Sequence, residues 1–474
     1  MTLPTTPTTS TTVRVDRRRP RPGRRFGPAD LLGPAAILSG VAVVCLWVMD
    51  QGGPLGLASM DRALGSLGLL TGLLASDLLL LQVVLLARIP WVERAWGHDL
   101  LTRRHRWIGF ASFWLMTAHV ALFAVERVAR DPAAAGQALL QVFVTDSWML
   151  FATVGTLLLI MVVATSARAA RRRLRYESWH LLHLYAYLGI GFSFPHTLAD
   201  GADFHGAWSR AYWWTLYLFA VAVTLLYRLA LPAWRSFRHR LRVEQVTGEG
   251  TGVVSVTMRG RRLDRLRTQS GQFFIWRFLD GPGWSRGNPY TLSAAPTPDR
   301  LRITVKAAGD GSARAARLRP GTRVLIEGPY GTMTARRRSN PHVLLVAAGI
   351  GVTPLRALLE DTPYAPGEAT LVYRYSETQH AFLAEELRQI AERRGVRLHF
   401  LPGPRSADGS WQAAGTAGAA PDSDDARALA RLVPDITACD LYVCGPPAWL
   451  RAVRRAARRA GVHRDHLHTE DFAW

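Results

Sequence analysis

Apolar residues crowd the first half of this chain in blocks too long for ordinary core helices. After about residue 236 they switch to short alternating runs. Six blocks approach the roughly 20 apolar residues that a bilayer span requires: 31–49, 67–87, 106–125, 147–167, 179–196 and 211–231. The fifth is interrupted by histidines and aromatics. Together they predict a six-helix transmembrane bundle over 29–232. Residues 1–28 are rich in Thr, Pro and Arg without an apolar period, which predicts a disordered basic tail. Leu241–Val246 and Gly252–Met258 alternate with a period of two, and turns rich in Gly and Pro follow. That pattern predicts an antiparallel β-barrel over 236–335. Over 340–474, strands at Val343–Ala348, Ala369–Tyr373, Arg397–Leu401 and Asp440–Val443 alternate with helical stretches, predicting an α/β nucleotide-binding domain. The Gly-, Ala- and Asp-rich stretch 403–425 reads as a mobile insertion.

Arginine placement orients the spans. The tail holds Arg14, Arg17, Arg18, Arg19, Arg21, Arg24 and Arg25. The loop after the second span holds Arg88, Arg94, Arg103 and Arg104, and the loop after the fourth holds Arg168, Arg171, Arg172, Arg173 and Arg175. The alternate loops carry only Arg62, Arg127, Arg130 and Arg210, mixed with Asp50, Asp61, Asp131, Asp146, Asp200 and Asp203. Both termini are therefore expected in the cytoplasm, with the chain a multi-pass protein of the cell membrane. Arg24-Arg25 resembles a twin-arginine signal only faintly, because the long apolar block behind it has no small-residue cleavage site.

The formal charge of +22 adds little, because Lys306 is the only lysine and the excess is a general arginine bias. No nucleic-acid partner is expected. Three cysteines, Cys45, Cys439 and Cys444, are too few for a disulfide framework or a four-cysteine iron–sulfur cluster.

Ionisable groups at membrane depth are costly and usually functional. His105 and His119 lie 14 residues apart on the third span, so one face carries both, about 21 Å apart along the axis. The fifth span, running in the same direction, offers His180, His183 and His196. His105 then shares a depth with His183, and His119 with His196. Two levels of two imidazoles are what two bis-histidine haems stacked across a bilayer require. His183 and His196 do not share one face of an ideal helix; Pro195 is expected to kink the chain and re-aim His196. Arg106 and Arg175 fit either haem propionates at the inner surface or positive-inside anchoring, with His180 beside the inner level.

Tyr176-Glu177-Ser178-Trp179-His180-Leu181-Leu182-His183, with His105-Arg106 and His119 upstream, resembles the ferric reductase and NADPH oxidase transmembrane domain. The resemblance implies two b-type haems, an inner one on His105 and His183 and an outer one on His119 and His196. Further on, Gly271-Gln272-Phe273-Phe274 and Asn288-Pro289-Tyr290-Thr291-Leu292-Ser293 resemble the flavin-binding barrel of the ferredoxin–NADP reductase superfamily. That resemblance implies FAD, with Tyr290 packed on the isoalloxazine and Thr291 bonding the ring edge. Leu292 and Ser293 complete the motif, and Asn288 stands where the oxidase branch commonly has histidine. Lys306 and Gly309-Asp310-Gly311-Ser312 form a candidate pyrophosphate loop offering backbone N–H groups and one positive charge. Ile326-Glu327-Gly328-Pro329-Tyr330-Gly331 closes the barrel.

The strand Val343–Ala348 runs into Gly349-Ile350-Gly351-Val352-Thr353-Pro354, where glycines let a pyrophosphate approach a helix start. Gly349, Gly351, Thr353 and Pro354 are the candidate contacts. Arg374 and Ser376 follow the next strand where this superfamily reads the adenosine ribose, favouring NADPH over NADH. Cys444-Gly445-Pro446-Pro447 resembles the nicotinamide-side motif, and Trp474 is expected to stack on the flavin and move aside for hydride transfer. The catalytic set is thus Thr291, Cys444 and Trp474.

These readings imply an oxidoreductase carrying electrons from cytoplasmic NAD(P)H through FAD and two haems to an acceptor outside. Ferric iron, dioxygen and a quinone fit equally, and Phe204-His205-Gly206 is a candidate acceptor loop. Two alternatives remain: a haem-free membrane-anchored flavin reductase serving a cytoplasmic acceptor, and a haem sensor or transporter.

Overall fold

The computed structural model describes residues 28–51, 60–140, 143, 146–174, 176–200, 206–413 and 421–470. The tail, Arg175, the Phe204-His205 pair and Trp474 lie outside them.

The first half is helical: α1 Leu32–Gln51, α2 Met60–Leu85, α3 Pro90–Trp96, α4 His98–Arg130, α5 Ala135–Leu140, α6 Ser147–Ser166, α7 Arg168–Arg173, α8 Tyr176–Asp200 and α9 Ala207–Thr224. A π-helical turn, Leu225–Ala230, carries α9 into α10, Leu231–His239. Among the described residues five helices are long and apolar enough to cross a membrane: Leu32–Met49, Arg62–Leu85, Leu100–Arg130, Ser147–Ser166 and Ala207–His239. The fifth expected block, 179–196, forms α8 but is not among those five, because its histidines and other polar residues dilute its apolar character. Ile37, Leu157 and Leu181 are each at least 60 % exposed on these helices, an apolar surface suited to lipid.

Small residues set the closest approaches. Gly68 and Gly72 on α2 face Phe123 and His119 of α4, and Gly155 of α6 meets Gly189 of α8. Without Cβ atoms the backbones come together, as helices packed in lipid favour. Asp146 caps α6 by accepting from the N–H groups of Trp148 (2.8 Å) and Met149 (3.1 Å).

The middle region holds β1 Arg242–Gly250, β2 Val253–Arg259, β3 Phe273–Phe278, β4 Asn288–Thr291, β5 Arg300–Lys306, the short α11 Asp310–Ala313, and β6 Val324–Tyr330. The expected barrel is instead two three-stranded antiparallel sheets, β1-β2-β5 and β4-β3-β6, around one core that includes Phe274, Trp276, Leu292 and Ile303. Only isolated bridges, Arg242 to Arg323 and Leu292 to Ile303, join the sheets among the described residues.

The last region contains β7 His342–Ala348, α12 Val352–Asp361, β8 Ala369–Tyr375, α13 Ala384–Arg394, β9 Arg397–Pro402, α14 Pro421–Leu432, β10 Cys439–Cys444, α15 Pro447–Arg459 and β11 Leu467–Thr469. Its strands pair in parallel in the order β11-β10-β7-β8-β9. Of the stretch after β9, residues 403–413 are described and hold one buried aromatic. Trp411 is 1 % exposed and its indole donates to the Asp425 carbonyl (3.0 Å), while α14 begins at Pro421.

Glu386 of α13 latches the two strand-containing regions together. It accepts two 2.8 Å bonds from Arg302 of β5 and faces Arg356 of α12 at 2.8 Å. Burial works against its charge, but the two guanidinium groups prevail and hold the carboxyl below its usual range.

Candidate functional site

The histidines meet as two pairs. The rings of His105 and His183 lie 6.0 Å apart between centroids, and those of His119 and His196 lie 6.4 Å apart. Two imidazoles bound on opposite sides of one metal, at about 2 Å per bond, place their ring centres about 6 Å apart. Both separations would accommodate one metal held between the two imidazoles of a pair. One imidazole of each pair has its second nitrogen partnered, as a ligating imidazole needs. His119 Nδ1 lies 2.8 Å from the Gly68 carbonyl, to which it donates, and His183 Nδ1 lies 3.2 Å from Ser166 Oγ. Either contact leaves Nε2 for a metal. Gly72 is part of this seat, since a Cβ there would fall 2.7 Å from His119 Cε1. The Gly68-x-x-x-Gly72 spacing was visible in the sequence, but its purpose was not.

His180, one turn before His183, lies within electrostatic reach of Arg228, Arg88 and Arg277. Arg277 belongs to β3, so the flavin-type region comes up to the inner histidine level. Arg88 adopts a left-handed backbone (φ 63°) after α2, approaches Glu327 of β6 at 3.4 Å and lies over the Tyr330 ring at 4.8 Å. Tyr330 donates to Glu327 (3.2 Å), Arg277 adds a 3.4 Å contact, and Arg235 of α10 donates to the Gly328 carbonyl. The Ile326–Gly331 motif thus docks this region onto the helices. The sequence reading gave it only the closing of a barrel.

Tyr290 and Thr291 sit on β4, paired with Phe274 and Phe273 of β3. Phe273 also pairs with Tyr330 on β6, so two strand spacings, about 10 Å, separate Thr291 from the docking surface. Burial pushes the Tyr290 phenol up to about 12, so it presents a neutral ring. Thr291 is 8 % exposed, and its hydroxyl is buried without a hydrogen-bond partner. A buried hydroxyl in that state suits a ligand edge. Thr291→Val should therefore leave the apoprotein as stable or more so while weakening FAD binding by about 1 kcal/mol, roughly fivefold. Release of FAD followed by fluorescence measures this, and unchanged affinity would remove Thr291 from the site.

Other expected contacts are occupied differently. Leu292 is buried in the core and its N–H donates to Gln272 O (3.1 Å). Ser293 is fully buried, its Oγ accepting from Thr304 (2.8 Å) and Arg302 (3.2 Å). Lys306 lies over the Phe382 ring at 5.7 Å, a contact between regions. Within the Gly309–Ser312 loop, Ser312 Oγ already accepts from the N–H groups of Ala308 (2.8 Å) and Gly309 (3.0 Å). Gly311 and Asn288 do come together, beside a cavity of ≈ 190 Å³ that Trp284, Arg286 and Leu318 also line.

In the parallel sheet the motifs converge at the carboxyl ends of β7, β8 and β10, where open α/β sheets bind nucleotides. Gly349 takes a left-handed φ of 53°, and a Cβ on Gly351 would lie 2.6 Å from the Cys444 carbonyl carbon. Thr353 Oγ1 donates to the Ile350 carbonyl (3.0 Å), Pro354 is buried in the first turn of α12, and Pro446 caps α15 beyond Gly445. Cys444 is fully buried, and burial together with the Glu470 carboxylate pushes its thiol well up, so it is a neutral packing group. Glu470 had no place in the sequence reading, and its carboxylate lies close beside Gly331. Ser376 Oγ bonds His380 Nδ1 (2.9 Å). Arg374 is also engaged within its own sheet. Its guanidinium donates to the carbonyls of Tyr375 (2.7 Å), Gly403 (2.6 Å) and Pro404 (2.6 Å), clamping the ends of β8 and β9. Its Nε is buried without a hydrogen-bond partner among the described residues.

Residues 71–194 match the family described as ferric reductase like transmembrane component, and residues 345–455 match the oxidoreductase NAD-binding domain. The ferredoxin reductase component of 3-ketosteroid-9-alpha-monooxygenase from Mycolicibacterium smegmatis is 29% identical over 237 residues, 48% of this chain and 63% of that protein. A flavohemoprotein from Chromobacterium violaceum is 30% identical over 218 residues, 43% of this chain and 52% of that one. The flavohem-like FAD/NAD binding domain of nitric oxide dioxygenase from Vibrio cholerae aligns with 50% of this chain and 99% of its own, at 24% identity and a TM-score of 0.40. The chain spans less than two thirds of the length of the two curated relatives, 63% and 52%.

Proposed function

We propose that this chain is a membrane oxidoreductase that takes electrons from cytoplasmic NAD(P)H and passes them, with FAD and two b-type haems, to an acceptor on the opposite face. The observation that carries the reading is the two histidine pairs, 6.0 and 6.4 Å between ring centres. His105, His119 and His183 fall in the stretch matching the ferric reductase like family, residues 71–194, and His196 lies two residues beyond it. His105 and His183 would hold the inner haem, and His119 and His196 the outer. Bis-imidazole haems supply one-electron carriers, and FAD supplies the exchange between a two-electron hydride and single electrons.

The chain's own residues orient and insulate. Gly349 and Gly351 let the dinucleotide backbone reach the start of α12, while Gly445 and Pro446 bound its nicotinamide end. Cys444, neutral and fully buried, excludes water behind that end without offering a charge. Tyr290 gives the flavin an aromatic face and Thr291 a hydroxyl. Trp474 is proposed to cover the opposite face, since only three residues separate it from Glu470, which lies beside Gly331. Arg88, Glu327, Tyr330 and Arg235 hold the flavin region against the inner histidine level. Six spans with cytoplasmic termini in the cell membrane are supported by the arginine distribution, with α8 as the fifth span.

The test is a visible spectrum of the purified protein, anaerobic, before and after NADPH or NADH. Reduced b-type bands appearing together with flavin bleaching are the expected result. Flavin bleaching without any b-type band would leave only the haem-free reductase. Whole-cell comparison of ferric-chelate reduction, superoxide formation and quinone reduction then identifies the acceptor.

A further inference from the structure

Asp77 sits in α2 at membrane depth, 1 % exposed, and nothing above uses it. Its Oδ1 accepts from Ser39 Oγ of α1 (2.7 Å) and from the Tyr212 hydroxyl of α9 (2.9 Å), and those two hydroxyls lie 2.8 Å apart. Oδ2 is buried with no hydrogen-bond partner among the described residues. The helices packed on α2 are α1, α4 and α9. Those that turn polar groups toward Asp77 do so with Ser39 and Tyr212, both uncharged at neutral pH. No arginine, lysine or histidine pairs with it among the described residues. A carboxylate in such a place is held by two donated hydrogen bonds and no countercharge. The bare Oδ2 is where a proton would sit.

Its position relative to the histidines gives the proton a purpose. On α2, the Gly68 carbonyl holds His119, and the Gln82 backbone lies beside His105. Asp77 is nine residues from Gly68 and five from Gln82, about 13.5 Å and 7.5 Å along the axis. It is also turned about 180° and 140° away from them. The carboxyl therefore lies between the two histidine levels in depth, about one helix thickness behind them. Across low-dielectric packing, a unit charge is felt at that distance.

We propose that Asp77 is a redox-linked proton site, a reading that rests on the haem assignment above. When one electron from NAD(P)H reaches the histidine column, the Asp77 carboxylate binds one proton from water. When the electron passes to the acceptor, the proton is released. Each electron added is matched by one proton, so the buried charge between the two levels stays constant. Ser39 and Tyr212 stabilise the charged form in the oxidised protein. A triad that merely fastens α1, α2 and α9 would keep one protonation state throughout.

The experiment is a potentiometric titration of the full-length, haem-loaded protein in lipid nanodiscs, from mildly acidic to mildly alkaline pH, with redox-difference infrared spectra. In the native protein a midpoint potential should fall as pH rises, and a carboxylic-acid carbonyl band should appear on reduction. Asp77→Asn should abolish both the slope and the band. If that variant does not assemble, Tyr212→Phe keeps the ring and removes one bond to the charged form, which should move the slope to higher pH. Equal slopes in Asp77→Asn and native protein, or an unmoved slope in Tyr212→Phe, would overturn the proposal. Absence of any b-type spectrum would instead sink the haem assignment. Haem bands with pH-independent potentials would sink the proton site alone.

Discussion

Replacing His119 by leucine should remove one b-type haem, halve the reduced-minus-oxidised b-type absorbance, and leave flavin reduction by NADPH unchanged. Leucine is at home in a membrane helix, so α4 and its packing on α2 should survive. What disappears is the imidazole paired with His196 at 6.4 Å and anchored on the Gly68 carbonyl at 2.8 Å. Loss of an anchoring partner alone typically lowers metal affinity about 10- to 100-fold, so loss of the ligand should exceed 100-fold. Transfer to the outer acceptor should fall with it, while the His105 and His183 pair keeps its band. A milder change probes the same seat. Gly72→Ala places a Cβ 2.7 Å from His119 Cε1, so the ring must shift, and the outer haem's spectrum and potential should move without loss of the inner one. A full complement of haem in the His119→Leu protein would refute the assignment of the outer pair.

Gly351→Ala should cost about 3 kcal/mol or more of stability and weaken NADPH binding by well over tenfold. The reason is space, since Gly351 has an ordinary helical φ of -61°. The added Cβ would lie 2.6 Å from the Cys444 carbonyl carbon and 2.9 Å from the Gly445 nitrogen, both backbone atoms at the end of a central strand. Neither can swing aside as a side chain would, so the turn between β7 and α12 must lift from β10, and the nucleotide motifs separate. Gly349→Ala is the matched control. It has φ 53° and nothing within 4 Å of its Cβ, so only the left-handed backbone is penalised, at about 1 kcal/mol. Thermal unfolding and NADPH titration of both variants check the order. A larger loss at Gly349 than at Gly351 would refute the steric account, and the haem bands should be intact in both.

Much of this architecture was legible in the sequence because its signals are local. Apolar block length, the two-residue alternation and the Gly349–Pro354 turn each belong to one short stretch, and each marks an element within a few residues of where it lies. The pairing of His105 with His183 and of His119 with His196 was also accessible, since helices of common direction and rise convert spacing into depth. What the sequence alone could not settle depends on how separate elements meet. Arg374 has the residue type of a phosphate reader, yet the approach of β9 brings the Gly403 and Pro404 carbonyls to its fork. Glu327 looked like part of a closing strand, and only the docking of β6 onto the helices gave it Arg88 and made it a fastening. Gly68 became the anchor of His119, and Asp77 the partner of Ser39 and Tyr212, through contacts across 51, 38 and 135 residues of chain. Local periodicity fixes which elements form and which face each residue occupies. The register between elements is fixed by close packing over the whole molecule, and that register decides which polar groups are satisfied and which remain for chemistry.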